Sequence, residues 1–281
     1  MKGDMAMIVT AIDGFRELSR KLMEIVENSS VKMTPSSLEK MLWRERVVNR
    51  RELRTALRML VESGELTYSN VFGTTYIEKS YNRPVRIGQH VILTPPERDA
   101  RYSAPDIAVI LKPGASFGVG QHATTRLAVE GVEYTLQELF AGRDIPDKTM
   151  LDIGTGSGVL ALTALKMGIR RVTGTDIDPC AVAEATENAV LNGMSERFII
   201  MDLPAESIEE RFHMIAANLR YPTLMRLSDY ISEHIHPQGA VILSGIRGDE
   251  AEKLKTRYAE LSLKCLREKA ANGWNGLVFI K

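Results

Sequence analysis

The segment Leu151-Asp152-Ile153-Gly154-Thr155-Gly156-Ser157-Gly158, with Asp176 eighteen residues beyond its last glycine, constrains this chain more than any other feature. Apolar residues running into alternating glycines predict a strand that ends in a tight turn and opens a helix. Gly154 and Gly156 carry no Cβ, so the main chain can turn sharply and let a ligand lie directly on it. The next apolar run, Val172-Thr173-Gly174-Thr175, delivers Asp176 to the end of a second strand. Ligands of open parallel sheets bind outside such strand ends. An adenosine-containing ligand fits this order, with Asp176 accepting from both ribose hydroxyls.

The glycine spacing narrows the ligand. Dinucleotide folds use G-x-G-x-x-G and rest a pyrophosphate on the helix N-terminus. Here the pattern is G-x-G-x-G with an acid two residues before it. Asp152 would repel a pyrophosphate, whereas it suits the ammonium and sulfonium of a methionine half. The expected cofactor is therefore S-adenosyl-L-methionine, with Asp152, Gly154, Gly156, Gly158 and Asp176 in its site. Asp202, which follows a predicted strand at 197–201, joins these cofactor-binding candidates.

A chain of 281 residues accommodates one large domain and a small one. Formal net charge is zero, which argues against a wholly cationic nucleic-acid binder. The charge is uneven: residues 1–90 hold 15 Lys and Arg against 11 Asp and Glu, and the remainder holds 21 against 25. Cys180 and Cys265 lie 85 residues apart, so neither a disulfide framework nor a metal cluster is expected. The apolar run Met5 to Ile12 is short and flanked by Asp4 and Asp13, unlike a signal peptide. A cytoplasmic protein without membrane partners is the expectation.

The expected fold class is α/β: a Rossmann-like seven-stranded methyltransferase sheet behind a smaller winged-helix-like α+β domain. In residues 1–90, Ile12, Phe15, Leu18, Leu22, Ile25 and Val26 recur at helical spacing. Thr34-Pro35 reads as a helix start, with a capping-box pattern at Ser36 and Glu39. Asn49 and Glu52 open a third helix with Leu53, Leu57, Leu60 and Val61 on its buried face and Gly64 as its stop. Strands at 66–68 and 74–77 flank a turn at 69–73. Arg50, Arg51, Arg54 and Arg58 form a basic stripe on the third helix, either a recognition face for phosphates or a solvated surface.

Residues 91–106 read as a linker with one strand, Val91-Ile92-Leu93, and the remainder, 107–281, as the methyltransferase domain. Its strands are expected at 107–111, 149–153, 171–176, 197–201, 212–217 and 240–244, closed by a pair near 262–268 and 275–280. Helices are expected between them at 123–140, 157–168, 179–192, 221–235 and 248–261. The glycine-rich run Lys112 to Thr125 precedes the first of these and holds Phe117 between small residues, a loop suited to folding over a cofactor. Asn218 ends the 212–217 strand. Its carbonyl suits an incoming amine, or it caps the following helix.

Together these segments resemble the bacterial methyltransferases that modify large-subunit ribosomal protein eleven. The resemblance rests on Phe117-Gly118-Val119-Gly120-Gln121-His122-Ala123-Thr124-Thr125, Asp152 through Ala161, and Gly174-Thr175-Asp176-Ile177-Asp178-Pro179. Ala217-Asn218-Leu219 and Leu243-Ser244-Gly245-Ile246 complete it, and it covers residues 107–281. It implies Thr125, Gly154, Asp176 and Asn218 as contacts of S-adenosylmethionine, with Phe117 in the covering loop. It also implies methylation of lysine or amino groups on a ribosomal or translation-linked protein. This chain departs from the family at Val119, Lys112 and Arg220-Tyr221, and residues 1–90 do not resemble the family's ferredoxin-like substrate domain. Two other readings stay open: an RNA methyltransferase guided by the basic helix, and a cofactor-sensing regulator. His122 is either a proton acceptor or a packing residue, and Cys180 an inert helix residue.

Overall fold

The computed structural model describes residues 16–29, 31–44, 50–71, 73–80, 84–98, 101–112, 122–142 and 148–281. The chain divides into two compact units, Met1–Arg83 and Pro84–Lys281.

The first unit holds helices α1 (residues 16–28), α2 (Pro35–Arg44) and α3 (Arg50–Glu62), then a hairpin of β1 (Leu66–Val71) and β2 (Thr74–Lys79). One apolar core joins them: Leu18 and Leu22 of α1, Leu38 and Leu42 of α2, Leu53 and Leu57 of α3, and Leu66 and Ile77 of the hairpin. The helix start at Thr34-Pro35 is real, but its capping pair differs from the expected Ser36 and Glu39. Ser37 N donates to Thr34 Oγ1 at 3.0 Å and Thr34 N donates to Ser37 Oγ at 2.8 Å, a reciprocal box of the same spacing that lies two residues earlier. Glu39 pairs instead with Arg50. Gly64, at φ +74°, ends α3, with Glu65 N returning to Leu60 O at 2.7 Å. The hairpin is longer than expected, its ladder running from Leu66 opposite Lys79 to Val71 opposite Thr74. Ile12, Phe15 and Asn49 lie outside the described residues.

The second unit begins earlier than the expected boundary at residue 90. Strands β3 (Val85–Arg86), β4 (Val91–Thr94) and β5 (Ile107–Ile110) form a three-stranded sheet in that order. Residues 91–94 are thus no linker, and 107–110 is not a strand of the main sheet. Side chains explain the difference. Asn192 accepts from Ile110 N at 2.9 Å and donates to Ile110 O at 2.6 Å, satisfying the β5 edge that a neighbouring strand would otherwise take. At the other end of this sheet the buried Glu133 carboxylate accepts from Gln89 N, His90 N and Val91 N at 2.7, 2.7 and 3.1 Å.

The main sheet has seven strands: β6 (Thr149–Ile153), β7 (Arg171–Asp176), β8 (Phe198–Asp202), β9 (Phe212–Asn218), β10 (Ile235–Arg247), β11 (Lys264–Ala271) and β12 (Trp274–Ile280). Their spatial order is β11-β12-β10-β9-β6-β7-β8. Six run parallel, and β12 inserts antiparallel between β10 and β11. Helices α4 (Ala123–Tyr134), α5 (Val159–Lys166), α6 (Pro179–Leu191), α7 (Tyr221–Arg226), α8 (Ser228–His234) and α9 (Gly248–Glu260) complete the unit. The single helix expected over 221–235 is two, meeting at Leu227.

Strand alternation assigns the two faces. Val241, Leu243, Leu277 and Phe279 pack in one core with Leu224, Ile231 and Leu254 of α7, α8 and α9. Ile242 and Val278, one position away, meet α4. There a Cβ on Gly131 would come within 2.7 Å of Ile242, so the helix sits as close as the sheet allows.

Candidate active site

A cavity of about 620 Å3 opens at the carboxyl ends of the parallel strands, inside the roughly 300–1,000 Å3 typical of small-molecule sites. Gly154 and Gly156 line it after β6, Asp176 at the end of β7 and Asn218 at the end of β9. The switch between β6 and β9, from which successive strands are added outward in both directions, is where open α/β folds bind ligands.

The turn is built from its backbone. Gly154 and Gly156 adopt φ +68° and +55°, the left-handed region that a side chain resists. Gly154 N and Thr155 N both donate to Thr175 O, at 2.8 and 2.9 Å. Gly156 N donates to Asp176 Oδ2 at 2.9 Å, and Asp178 N to Asp176 Oδ1 at 3.1 Å. Both carboxylate oxygens are therefore fixed by main chain while each keeps a second lone pair for a hydroxyl. Gly158 lies behind the turn, where a Cβ would meet Phe198 at 2.9 Å, and does not line the cavity.

Asp152 stands elsewhere than the sequence suggests. It is 1% exposed and does not line the cavity. Its Oδ2 accepts from Thr155 Oγ1 at 2.9 Å and from Ala161 N at 3.2 Å, tying β6 to the turn and to α5. Alternation along β6 is the reason: Ile153 lines the cavity, so its neighbour points away from the same face. Burial pushes the Asp152 carboxyl up to about 7, against those two hydrogen bonds, which lower it.

Asn218 closes β9, where Leu219 N donates to Ser244 O at 3.1 Å. Beside it Gly245, at φ +87°, leaves no room for a side chain, since a Cβ would lie 2.3 Å from Leu219 O. The buried Asn218 Oδ1 accepts no hydrogen bond among the described residues. It does not cap the next helix: α7 begins after Arg220 without a side-chain cap. An orphaned buried acceptor is costly unless a ligand donates to it.

The other expected residues divide. Thr125 is buried with an unbonded Oγ1 but does not line the cavity; its neighbour Thr124 does. Asp202 pairs in register with Asp176 and is exposed, yet the cavity wall is made by Leu203 and Ala205 just beyond it. Phe117 and Val119 lie outside the described residues. Lys112 pairs with Glu187 at 2.9 Å. His122 caps α4, accepting from Thr124 N at 3.3 Å, and burial lowers its pKa. Its ring meets Trp274 edge-on at 4.9 Å and stands in the cavity wall, and the loop before it lies outside the described residues.

Sequence reading missed Trp274, Leu203, Ala205 and the Arg226–Glu206 ion pair, all of which line the cavity. One signal was there to be used. Asn272-Gly273, both at positive φ (51° and 77°), is the dipeptide of a two-residue hairpin, and it places Trp274 at the first position of β12.

The residues fit S-adenosylmethionine. Asp176 offers two acceptors, Ile177 is 76% exposed as an apolar wall with Leu203 and Ala205, and Asn218 presents its free acceptor. Numbered along the main sheet alone, the strand order 3-2-1-4-5-7-6 with the last strand reversed defines a class I methyltransferase fold. The comparisons name the lineage. A profile of the ribosomal protein L11 methyltransferase family (PrmA) matches residues 28–281, and the chain belongs to that family.

A ribosomal protein L11 methyltransferase of Geotalea daltonii is 32% identical over 200 residues, covering 70% of this chain and 64% of that protein. The protein of the same name from Geobacter sulfurreducens is 36% identical over 196 residues, covering 70% and 62%. A solved ribosomal protein L11 methylase from Lactobacillus delbrueckii subsp. bulgaricus superposes with TM-score 0.61 at 30% identity, covering 70% of this chain and 97% of that one. The chain thus spans 62–65% of the length of the first curated relatives it matches. The family match starts at residue 28, well before the segment 107–281 that carried the resemblance, and takes in α2, α3 and the hairpin. Among the described residues no helix is long and apolar enough to cross a membrane.

Proposed function

We propose that this chain is an S-adenosylmethionine-dependent methyltransferase that N-methylates lysine or terminal amino groups of a ribosomal or translation-linked protein in the cytoplasm. The observation that carries the reading is the unbonded Asn218 Oδ1 in a cavity that also holds the Asp176 carboxylate. The names of the relatives support a ribosomal protein as acceptor.

Bound S-adenosylmethionine supplies a sulfonium methyl group open to in-line attack. The chain's own residues position and desolvate. Asp176 and the glycine turn fix the ribose end, and the apolar wall of Ile177, Leu203 and Ala205 excludes water from the base. The acceptor must arrive as a neutral amine. From a reference pKa of roughly 10.4, that costs about 4.6 kcal/mol at pH 7. A partly apolar cavity disfavours the ammonium, and Asn218 Oδ1 accepts one amine N–H, which aims the nitrogen lone pair. His122, its pKa lowered by burial and its Nδ1 occupied by Thr124 N, contributes a wall.

Incubation with radiolabelled cofactor and a bacterial lysate, followed by protease or nuclease, tests this. Label should vanish with protease, survive nuclease, and be absent with Asp176→Ala. Label that survives protease and vanishes with nuclease would mean that the acceptor is RNA.

A further inference from the structure

The outward face of α3 is a groove that the methyl-transfer reading leaves unused. α3 turns Leu53, Ala56, Leu57 and Leu60 into the core of the first unit. On its opposite side Arg50, Arg54 and Arg58 recur every fourth residue, with Arg51 and Thr55 between them, all exposed. These five residues alone line a groove of about 330 Å3. At a rise of about 1.5 Å per residue, the row of guanidinium groups extends about 12 Å along the helix. We propose that this groove is a binding site for the phosphate backbone of a nucleic acid.

Four guanidinium groups and one hydroxyl present almost only donors, so the ligand is an anion. A row of that length suits successive phosphates better than a single one. At Arg50, Arg54 and Arg58 acids compete weakly. Arg50 pairs with Glu39, and Arg58 Nε stands 3.6 Å from Glu62, with both arginine side chains more than 70% exposed. Exposed pairs of this kind contribute about 0–1 kcal/mol and yield to a polyanion. Arg54 has no acidic partner among the described residues. The surrounding sequence has the same sign, with 15 Lys and Arg against 11 Asp and Glu in residues 1–90. Arginine is suited to the task because its planar fork meets two phosphate oxygens at once.

The test is fluorescence anisotropy of the full chain with an end-labelled RNA hairpin and with a DNA duplex of the same sequence, between 50 and 200 mM salt, conditions over which phosphate contacts lose affinity steeply. The parent protein should bind at the low-salt end, and affinity should fall as salt rises. A triple variant, Arg50→Gln with Arg54→Gln and Arg58→Gln, should bind at least tenfold more weakly. Its slope of log K on log[salt] should be shallower by roughly 2–3. The matching triple lysine variant should keep most of the slope. Unequal binding of the two polymers names RNA or DNA as the source of the phosphates, and equal binding means that the backbone alone is read. Absence of binding by the parent at 50 mM salt, or a glutamine variant unchanged in affinity and slope, overturns the proposal. Calorimetric binding of S-adenosylmethionine to the same variant reports on the other unit, so failure here leaves the methyl-transfer reading standing.

Discussion

Asp152 illustrates how one buried carboxyl trades stability for order. Two donors hold it under the glycine turn, yet burial dominates and raises its pKa to about 7. The folded protein therefore binds a proton at this site that the unfolded chain, near the ordinary value of 3.8, has released. Between about pH 4 and 7 the native state holds more protons, so the contribution of Asp152 to stability declines as pH rises and levels off above 7. The full effect is at most about 4 kcal/mol. Asp152→Asn keeps an acceptor for Thr155 and Ala161 and does not titrate. Denaturant unfolding of parent and variant across this window isolates the site, since other titrating groups cancel in the difference. The variant should gain on the parent steadily from pH 5 to 7.5. A difference that stays flat would mean that Asp152 is ionised in the folded protein at all these values.

Single elements are held in place here by side chains that stand in for a missing strand. β5 has its outer edge satisfied by Asn192 of the α6 C-cap, which also donates to Asn188 O at 2.8 Å, while Asn188 Oδ1 accepts from Lys112 N at 2.9 Å. Asn192→Ala would leave the partly buried Ile110 N and O without partners, at the lower end of the about 1–3 kcal/mol that a buried group left unpaired costs. The expected result is a thermal midpoint lower by several degrees and faster amide exchange at Ile110 than at Leu111, whose N–H donates to Thr94 O of β4. Unchanged exchange at Ile110 would show that β5 is held by other contacts. Nothing in the sequence of 107–111 distinguishes this strand from those of the main sheet, because it is equally apolar. Its partner is an asparagine some eighty residues away.

At the scale of the whole molecule, the first unit has an apolar core of its own, separate from the packing of the second. A ligand of the cavity should stabilise only the unit that contains it. S-adenosylhomocysteine at about 100 times its Kd should add about 2.7 kcal/mol to Pro84–Lys281. Amide exchange should slow around Gly154–Gly156, Asp176–Asp178 and Asn218, and remain unchanged in α2 and α3. Protection that spreads through the first unit would contradict this division.

The sequence by itself determined the turn at Gly154–Gly156, the acid at Asp176, the amide at Asn218 and the parallel core that carries them. Each is a local event: a strand ends, a glycine adopts positive φ, and the next residues fall at the carboxyl edge of the sheet. Tertiary structure alone decided which side chains face the ligand. Asp152 and Ile153 face opposite ways by strand alternation, but which of the two faces meets the cavity is set by tertiary packing, which brings the α5 residue Ala161 onto the acid. Trp274 enters the site because the last strand inserts between β10 and β11, more than a hundred residues after the glycine turn. Backbone conformation follows from neighbours in sequence, whereas a cavity wall is assembled from strand ends that only folding brings side by side.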